Sequence, residues 1–214
     1  MNKITAFEKG HEAFRRVTFK ANEARFKKLV SEGQNPKALF IGCSDSRVMP
    51  NMITSTGAGD LFIVRNIGNF VPPFKPDSDF HSTAAAIEYA VSILEVSDII
   101  VCGHSDCGAI KALFQSPEAT PENIHTIKWL ELGEMAKRVA ETALPHADKK
   151  ALHDYTEKVS VVFQLENLLS YPAVKRGVEE GKLFLHGWHY DLASGEILYY
   201  DESELLFRPL GVSS

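Results

Sequence analysis

Cysteine is scarce in this chain, with three residues in 214. So low and odd a count excludes a disulfide framework and leaves the thiols to bind metal, react or lie buried. No apolar run approaches the roughly 20 residues that a membrane-spanning helix needs. Basic charge is also short: 23 Lys and Arg against 28 Asp and Glu leave a net charge of −5, which argues against nucleic acid as a partner. The first residues, MNKITAFEKGHEAF, carry charges where a signal peptide has an apolar segment, so a cytoplasmic location is expected. Internal repeats and low-complexity segments are absent as well. What is present is ordinary for a globular protein with a sizeable core, 44% hydrophobic and 24% charged.

Chemistry concentrates in residues 38–50, ALFIGCSDSRVMP. Four apolar residues have the length and composition of a buried strand. The run breaks at Gly42 into Cys43-Ser44-Asp45-Ser46-Arg47, and Pro50 suits the first turn of a helix. A thiol, a carboxylate and a guanidinium thus meet at one strand end, where open α/β sheets place their ligands.

Upstream, Phe7, Phe14 and Val17 share a helical face, Phe26 and Leu29 repeat the spacing, and Phe19 lies off it. One or two amphipathic helices ending near Gly33 are expected, an arm with no core of its own. Residues 61–64 and 98–103 read as further apolar strands, with residues 82–94 as a helix between them and residues 67–79 as a loop. Residues 124–143 and 147–169 read as long helices, and Pro172 opens another that closes near Gly181. Residues 183–190 and 197–200, separated by Ala193-Ser194-Gly195, form a terminal hairpin. Apolar strands alternating with helices predict a parallel sheet with helices on both faces.

The third strand runs directly into His104-Ser105-Asp106-Cys107-Gly108. Parallel strands end on one edge, so Cys43, His104 and Cys107 can converge. Two thiolates and an imidazole suit Zn²⁺, and three protein ligands leave the open position of a catalytic site. The alternative is two buried thiols and a hydrogen-bonded turn histidine. Asp45 and Arg47 are close enough for a bidentate pair, either an exposed ion pair of little energetic weight or a device beside a metal that keeps Asp45 ionised.

Cys43-Ser44-Asp45-Ser46-Arg47 followed by His104-Ser105-Asp106-Cys107-Gly108 resembles the β-class carbonic anhydrases. Phe62-Ile63-Val64-Arg65-Asn66, Ala86-Ile87-Glu88-Tyr89-Ala90 and Leu185-His186-Gly187-Trp188 match further blocks of that family, nearest its plant-like and cyanate-operon-type bacterial branch. The resemblance spans residues 14–207. It implies one zinc per subunit on Cys43, His104 and Cys107, and reversible hydration of CO₂ to bicarbonate by a zinc-bound hydroxide. Asp45, fixed by Arg47, would aim that hydroxide, while Gln34, Phe62, Ile67 and Tyr89 would form the substrate pocket. It also implies a homodimer or higher homo-oligomer joined through the arm, with Phe62 and Tyr89 near the junction. Phe40, where another branch of the family has Trp, implies the open, constitutively active type. Two thiolates cancel the zinc charge, so hydration should climb on the alkaline side of neutrality.

The expected architecture is a single α/β domain, residues 1–214, with residues 1–33 as the arm. Its sheet has a four-stranded parallel core, ordered second-first-third-fourth, and an antiparallel edge strand. Departures from the family lie at His81, where many relatives carry glycines, and at Ile93, where some carry a histidine suggested as proton shuttle; Asp106 is expected to be a surface turn residue and Cys102 simply buried. Three rival functions remain. A thiol phosphatase needs five residues between Cys and Arg, and only three separate Cys43 from Arg47. A structural zinc module wants four closed ligands and a basic surface. A CS₂ or COS hydrolase on the same zinc scaffold is compatible with every motif.

Overall fold

The structure, a computed structural model, describes residues 5–77, 79–115 and 118–211. The arm comprises α1 (Thr5–Ala13), a π-helical turn (Phe14–Phe19) and α2 (Glu23–Glu32), and none of its residues is buried within one chain. The wide turn corrects the expected face. A π-helix brings residue i over i+5, so Phe19 packs beside Phe14 at 6.2 Å and stacks on Phe26 at 5.2 Å. The arm's first four residues lie outside those described. Arg25 ties α2 to the body through Asp60 (2.6 Å) and the Ala58 carbonyl (2.7 Å).

Six strands follow: β1 (Ala38–Cys43), β2 (Leu61–Asn66), β3 (Asp98–His104), β4 (Phe184–Tyr190), β5 (Ile197–Asp201) and β6 (Leu206–Pro209). Their spatial order is β2-β1-β3-β4-β5-β6, parallel through β4 and antiparallel beyond it. The second-first-third-fourth core is as expected. The edge is different: β6 pairs with β5 and takes the outermost place. Asp201 accepts from the Ser203 and Glu204 amides, and Leu205 adopts φ 55°, closing a tight turn that the polar residues Asp-Glu-Ser-Glu disguise.

β1 is buried along its whole length. Leu39, Ile41, Ile99 and Val101 point into the larger core with Ile87, Val161, Leu165, Leu168 and Val174. Those last residues come from α4 (Ser82–Ser92), α8 (Lys149–Leu169) and α9 (Pro172–Glu179). Ala38, Phe40, Ile100 and Cys102 pack on the other face with Trp188 and Tyr190. Both faces of the central strands are therefore apolar, which explains unbroken hydrophobic runs in place of alternation.

Between the strands lie α3 (Pro50–Ile53), α5 (Gly108–Leu113), α6 (Ile124–Leu130) and α7 (Glu134–Ala143). Residues 124–143 were expected as one helix, but a 3₁₀ turn at Glu131–Gly133 breaks them. A Cβ on Gly133 would sit 2.8 Å from both Leu113 and Phe70. The chain must bend there to pass so close to α5. Among the described residues no helix is long and apolar enough to cross a membrane.

Candidate metal centre

β1 and β3 are parallel neighbours, with Gly42 level with Cys102. Their C-terminal ends therefore deliver Cys43 and His104 side by side. Beyond β3 the chain turns through Ser105 and Asp106, the latter at φ 62°, and presents Cys107 just before α5. One ligand atom from each of Cys43, His104 and Cys107 lies within 4.8 Å of the others, and all three residues are buried.

Hydrogen bonds settle the imidazole's orientation. His104 Nδ1 lies 2.9 Å from the Ser105 carbonyl, which can only accept, so Nδ1 carries the proton. Nε2 then offers a lone pair, and it is buried with no hydrogen-bond partner among the described residues. A buried acceptor is costly to leave unsatisfied, and this one faces two thiols. The donor set thus fits a tetrahedral, thiolate-tolerant cation such as Zn²⁺.

The sulfurs share their charge unequally. The hydrogen bond with Cys107, aided by His104 and the backbone amides of Asp45 and Gly68, lowers the Cys43 thiol to about 4 despite its burial. Cys107 moves far upward because Cys43 and burial oppose a second negative charge. Burial opposes charging of His104, but the neighbouring Cys43 thiolate outweighs it and moves the imidazole up. Bringing two like charges together asks for a cation between them.

Asp45 and Arg47 form the bidentate pair. Arg47 Nε donates to Oδ1 at 2.9 Å, Nη2 to Oδ2 at 2.8 Å, and the Arg47 amide to Oδ1 at 3.0 Å. The Arg47 side chain holds the Asp45 carboxyl well below the usual carboxylate range. Asp106 is more than a turn residue: it accepts from Arg47 Nη1 at 3.0 Å and pairs with Lys111. Arg65, part of a family-like block but not singled out as a site residue, donates to the carbonyls of Cys43 (3.0 Å) and Asp45 (2.6 Å). Its register opposite Gly42 on β2 could have revealed it, because it stands at the same sheet edge.

The remaining pocket candidates separate. Ile67 follows Asn66, the residue level with Cys43, and its carbonyl accepts from Trp129 Nε1 at 2.7 Å. It therefore lies at the site. Gln34 is exposed ahead of β1, at the opposite end of that strand from Cys43. Phe62 is level with Leu39 and stacks on Tyr89 with centroids 5.8 Å apart. Within one chain, Gln34, Phe62 and Tyr89 are not brought to Cys43. His81 pairs with Asp77 at 2.7 Å in an exposed loop, and Cys102 is fully buried as expected.

Residues 38–197 match the family model described as carbonic anhydrase. A carbonic anhydrase of Pseudomonas aeruginosa is 43% identical over 202 residues, covering 94% of this chain and 89% of that one. The solved β-carbonic anhydrase CcaA superposes with a TM-score of 0.92 at 37% identity, covering 99% of this chain and 94% of that one. A tetrameric β-carbonic anhydrase of Sordaria macrospora superposes at 0.80 with 29% identity over the full length of both chains.

Proposed function

Because the chain belongs to the carbonic anhydrase family, in its β class, we propose that it hydrates CO₂ reversibly at a zinc site on Cys43, His104 and Cys107, with Asp45 and Arg47 orienting the attacking water. The observation that carries this reading is the buried, unpartnered His104 Nε2 facing two thiols at the end of β1 and β3. Bound there, zinc supplies the Lewis acidity that makes a water a competent nucleophile near neutral pH.

The protein's own residues do the orienting. An ionised carboxylate offers about four acceptor positions. The Arg47 amide and Nε occupy two on Asp45 Oδ1, and Nη2 takes one on Oδ2. One position on Oδ2 remains. A water donating its proton there has its lone pair turned away from Asp45 and toward the CO₂ carbon. Arg47 keeps Asp45 deprotonated, so the carboxylate cannot donate in return and reverse that orientation. Asp106 holds the far side of the Arg47 fork, and Ile67 contributes an apolar wall of the kind CO₂ requires.

Gln34, Phe62 and Tyr89 enter this reading through a second copy of the chain. Ile63, Tyr89 and Ile93 are exposed large hydrophobics on or beside the free edge at β2, and Phe7, Val17 and Val30 are exposed on the arm. A homodimer or larger homo-oligomer would cover them. Residues 1–214 then act as one domain with residues 1–33 as the joining arm, in the cytoplasm, where the three free cysteines stay reduced.

The test is stopped-flow CO₂ hydration by the zinc-loaded protein, with COS and CS₂ turnover measured alongside. Rapid CO₂ hydration is expected. Background hydration at full zinc occupancy would refute the proposal, and COS or CS₂ turnover in its place would establish the hydrolase reading.

A further inference from the structure

The turn that carries Cys107 rests on a helix whose buried face is only partly apolar. α8 carries a buried face that is polar in part: Thr156, Glu157, Ser160 and Gln164 alternate with Val161, Leu165 and Leu168. Gln164 accepts from the Val71 amide at 2.8 Å and so props the loop after β2. Glu157, 2% exposed, does the corresponding work at the metal loop. Its Oε1 accepts from the Cys107 backbone amide at 3.0 Å, and its Oε2 lies 3.2 Å from His189 Nε2 on β4. His189 is itself 4% exposed.

We propose that Glu157 is a positioning residue for zinc: by its length and its acceptor oxygens it sets where the Cys107 thiolate stands. The inference rests on the reading that Cys43, His104 and Cys107 hold the metal. Three observations support it. Asp106 at φ 62° reverses the chain and turns the next amide, that of Cys107, inward, where helix α5 gives it no acceptor. Among the described residues, Glu157 is the acceptor that meets that amide. Finally, α8 is seated directly on β3, since a Cβ on Gly103 would lie 2.7 Å from Val161 Cγ2 and 3.5 Å from the Glu157 carbonyl. The carboxylate therefore links a rigid helix to a ligand-bearing turn. A buried carboxylate is costly, and this one spends both oxygens on two partners of which one carries a ligand. Partners that orient metal ligands in this way typically contribute about 10–100-fold to metal affinity.

Two substitutions separate reach from charge. Glu157→Gln keeps the length and one acceptor oxygen but removes the charge. Glu157→Asp keeps the charge but draws the oxygens back by one methylene. Zinc affinity is read by competition with a chromogenic chelator, and ligand geometry by the visible spectrum of the Co²⁺-substituted protein. Leu168→Ala, on the same helix and 0% exposed, controls for general destabilisation. Glu157→Asp should weaken zinc about 10–100-fold and alter the Co²⁺ bands, whereas Glu157→Gln should stay within about threefold of the parent with its bands preserved; Leu168→Ala should lower stability with zinc affinity unchanged. A variant that does not fold is replaced in the comparison by His189→Leu, which removes the donor to Glu157 Oε2 and is expected to leave zinc affinity within about threefold, because the Oε1 bond to the Cys107 amide is kept. The proposal is overturned if Glu157→Asp holds zinc like the parent, if Glu157→Gln loses it as Asp was expected to, or if Leu168→Ala weakens it equally. A parent protein that takes up no zinc would instead overturn the zinc reading itself, before any variant is compared.

Discussion

Replacing Gly103 by Ala tests how closely α8 is seated behind the metal loop. Gly103 lies on β3 outside the left-handed region, so Ala meets no backbone strain there. On backbone entropy alone the change should stabilise by about 0.5–1 kcal/mol. Packing opposes it: the new Cβ would stand 2.7 Å from Val161 Cγ2, with its next neighbours, the Glu157 and Trp188 carbonyls, at 3.5 and 3.8 Å. Overfilling a close-packed site costs about 1–3 kcal/mol, so Gly103→Ala should be destabilising by about 1–2 kcal/mol net. Val161→Ala removes the obstructing methyl and costs about 1–3 kcal/mol on its own as a cavity. In that background Gly103→Ala should become neutral or slightly stabilising, giving a coupling energy of about 1–3 kcal/mol between the two sites. For a chain of this size, each kcal/mol moves the melting temperature by about 2–4 °C. Calorimetric melts of the four proteins, at one protein concentration and one free zinc level, measure the cycle. Equal losses from Gly103→Ala in both backgrounds would show that Val161 does not exclude the Cβ, and the seating argument would fail.

Asp45→Asn should lower kcat/KM for CO₂ hydration about a hundredfold or more while zinc content stays stoichiometric, because an amide cannot act as an acceptor-only guide; activity within a few fold of the parent would refute the orienting role. Tyr171, 1% exposed, donates its hydroxyl to the Pro72 carbonyl at 2.8 Å, and burial pushes it up to about 12. Between about pH 10, where the unfolded tyrosine ionises, and pH 12 the unfolded state has released a proton that the folded state keeps. Stability should therefore fall with rising pH in that window from this residue's contribution, and Tyr171→Phe should lessen the fall in denaturant melts. An unchanged slope in Tyr171→Phe would exclude the residue as its source.

Much of the fold was legible because parallel strands buried on both faces must be apolar throughout. β1 and β3 announce themselves as such runs, and β1 extends past Gly42 to include Cys43; β2 is apolar too, although it is the edge strand and none of its residues is buried within one chain. The helix over residues 124–143 was legible in type but not in continuity, because only the approach of Leu113 and Phe70 makes Gly133 a bend. Phe19 looked misplaced because the spacing was judged at 3.6 residues per turn, and the π turn has a wider period. β6 was missed because its four residues, Leu-Phe-Arg-Pro, are too short and mixed to stand out before a partner strand is known.

The site divides in the same way. Cys43, Asp45, Arg47, His104 and Cys107 were all readable, since each sits within a few residues of a strand end and the topology of a parallel sheet gathers those ends. Glu157 and His189 were not, because a glutamate among Lys158, Glu166 and Asn167 has the look of a solvated helix face. Their burial depends on how α8 lies against β3 and β4, which local spacing does not encode.

Sequence alone indicated the candidate donor set, its strand-end placement and, through family resemblance, the class of chemistry, because these follow from residue type and short-range order. Tertiary structure alone decided which His104 nitrogen faces the thiols, how Arg47 grips both oxygens of Asp45, and that a buried carboxylate stands behind Cys107. Those are matters of direction and distance between segments remote in the chain, and only packing sets them.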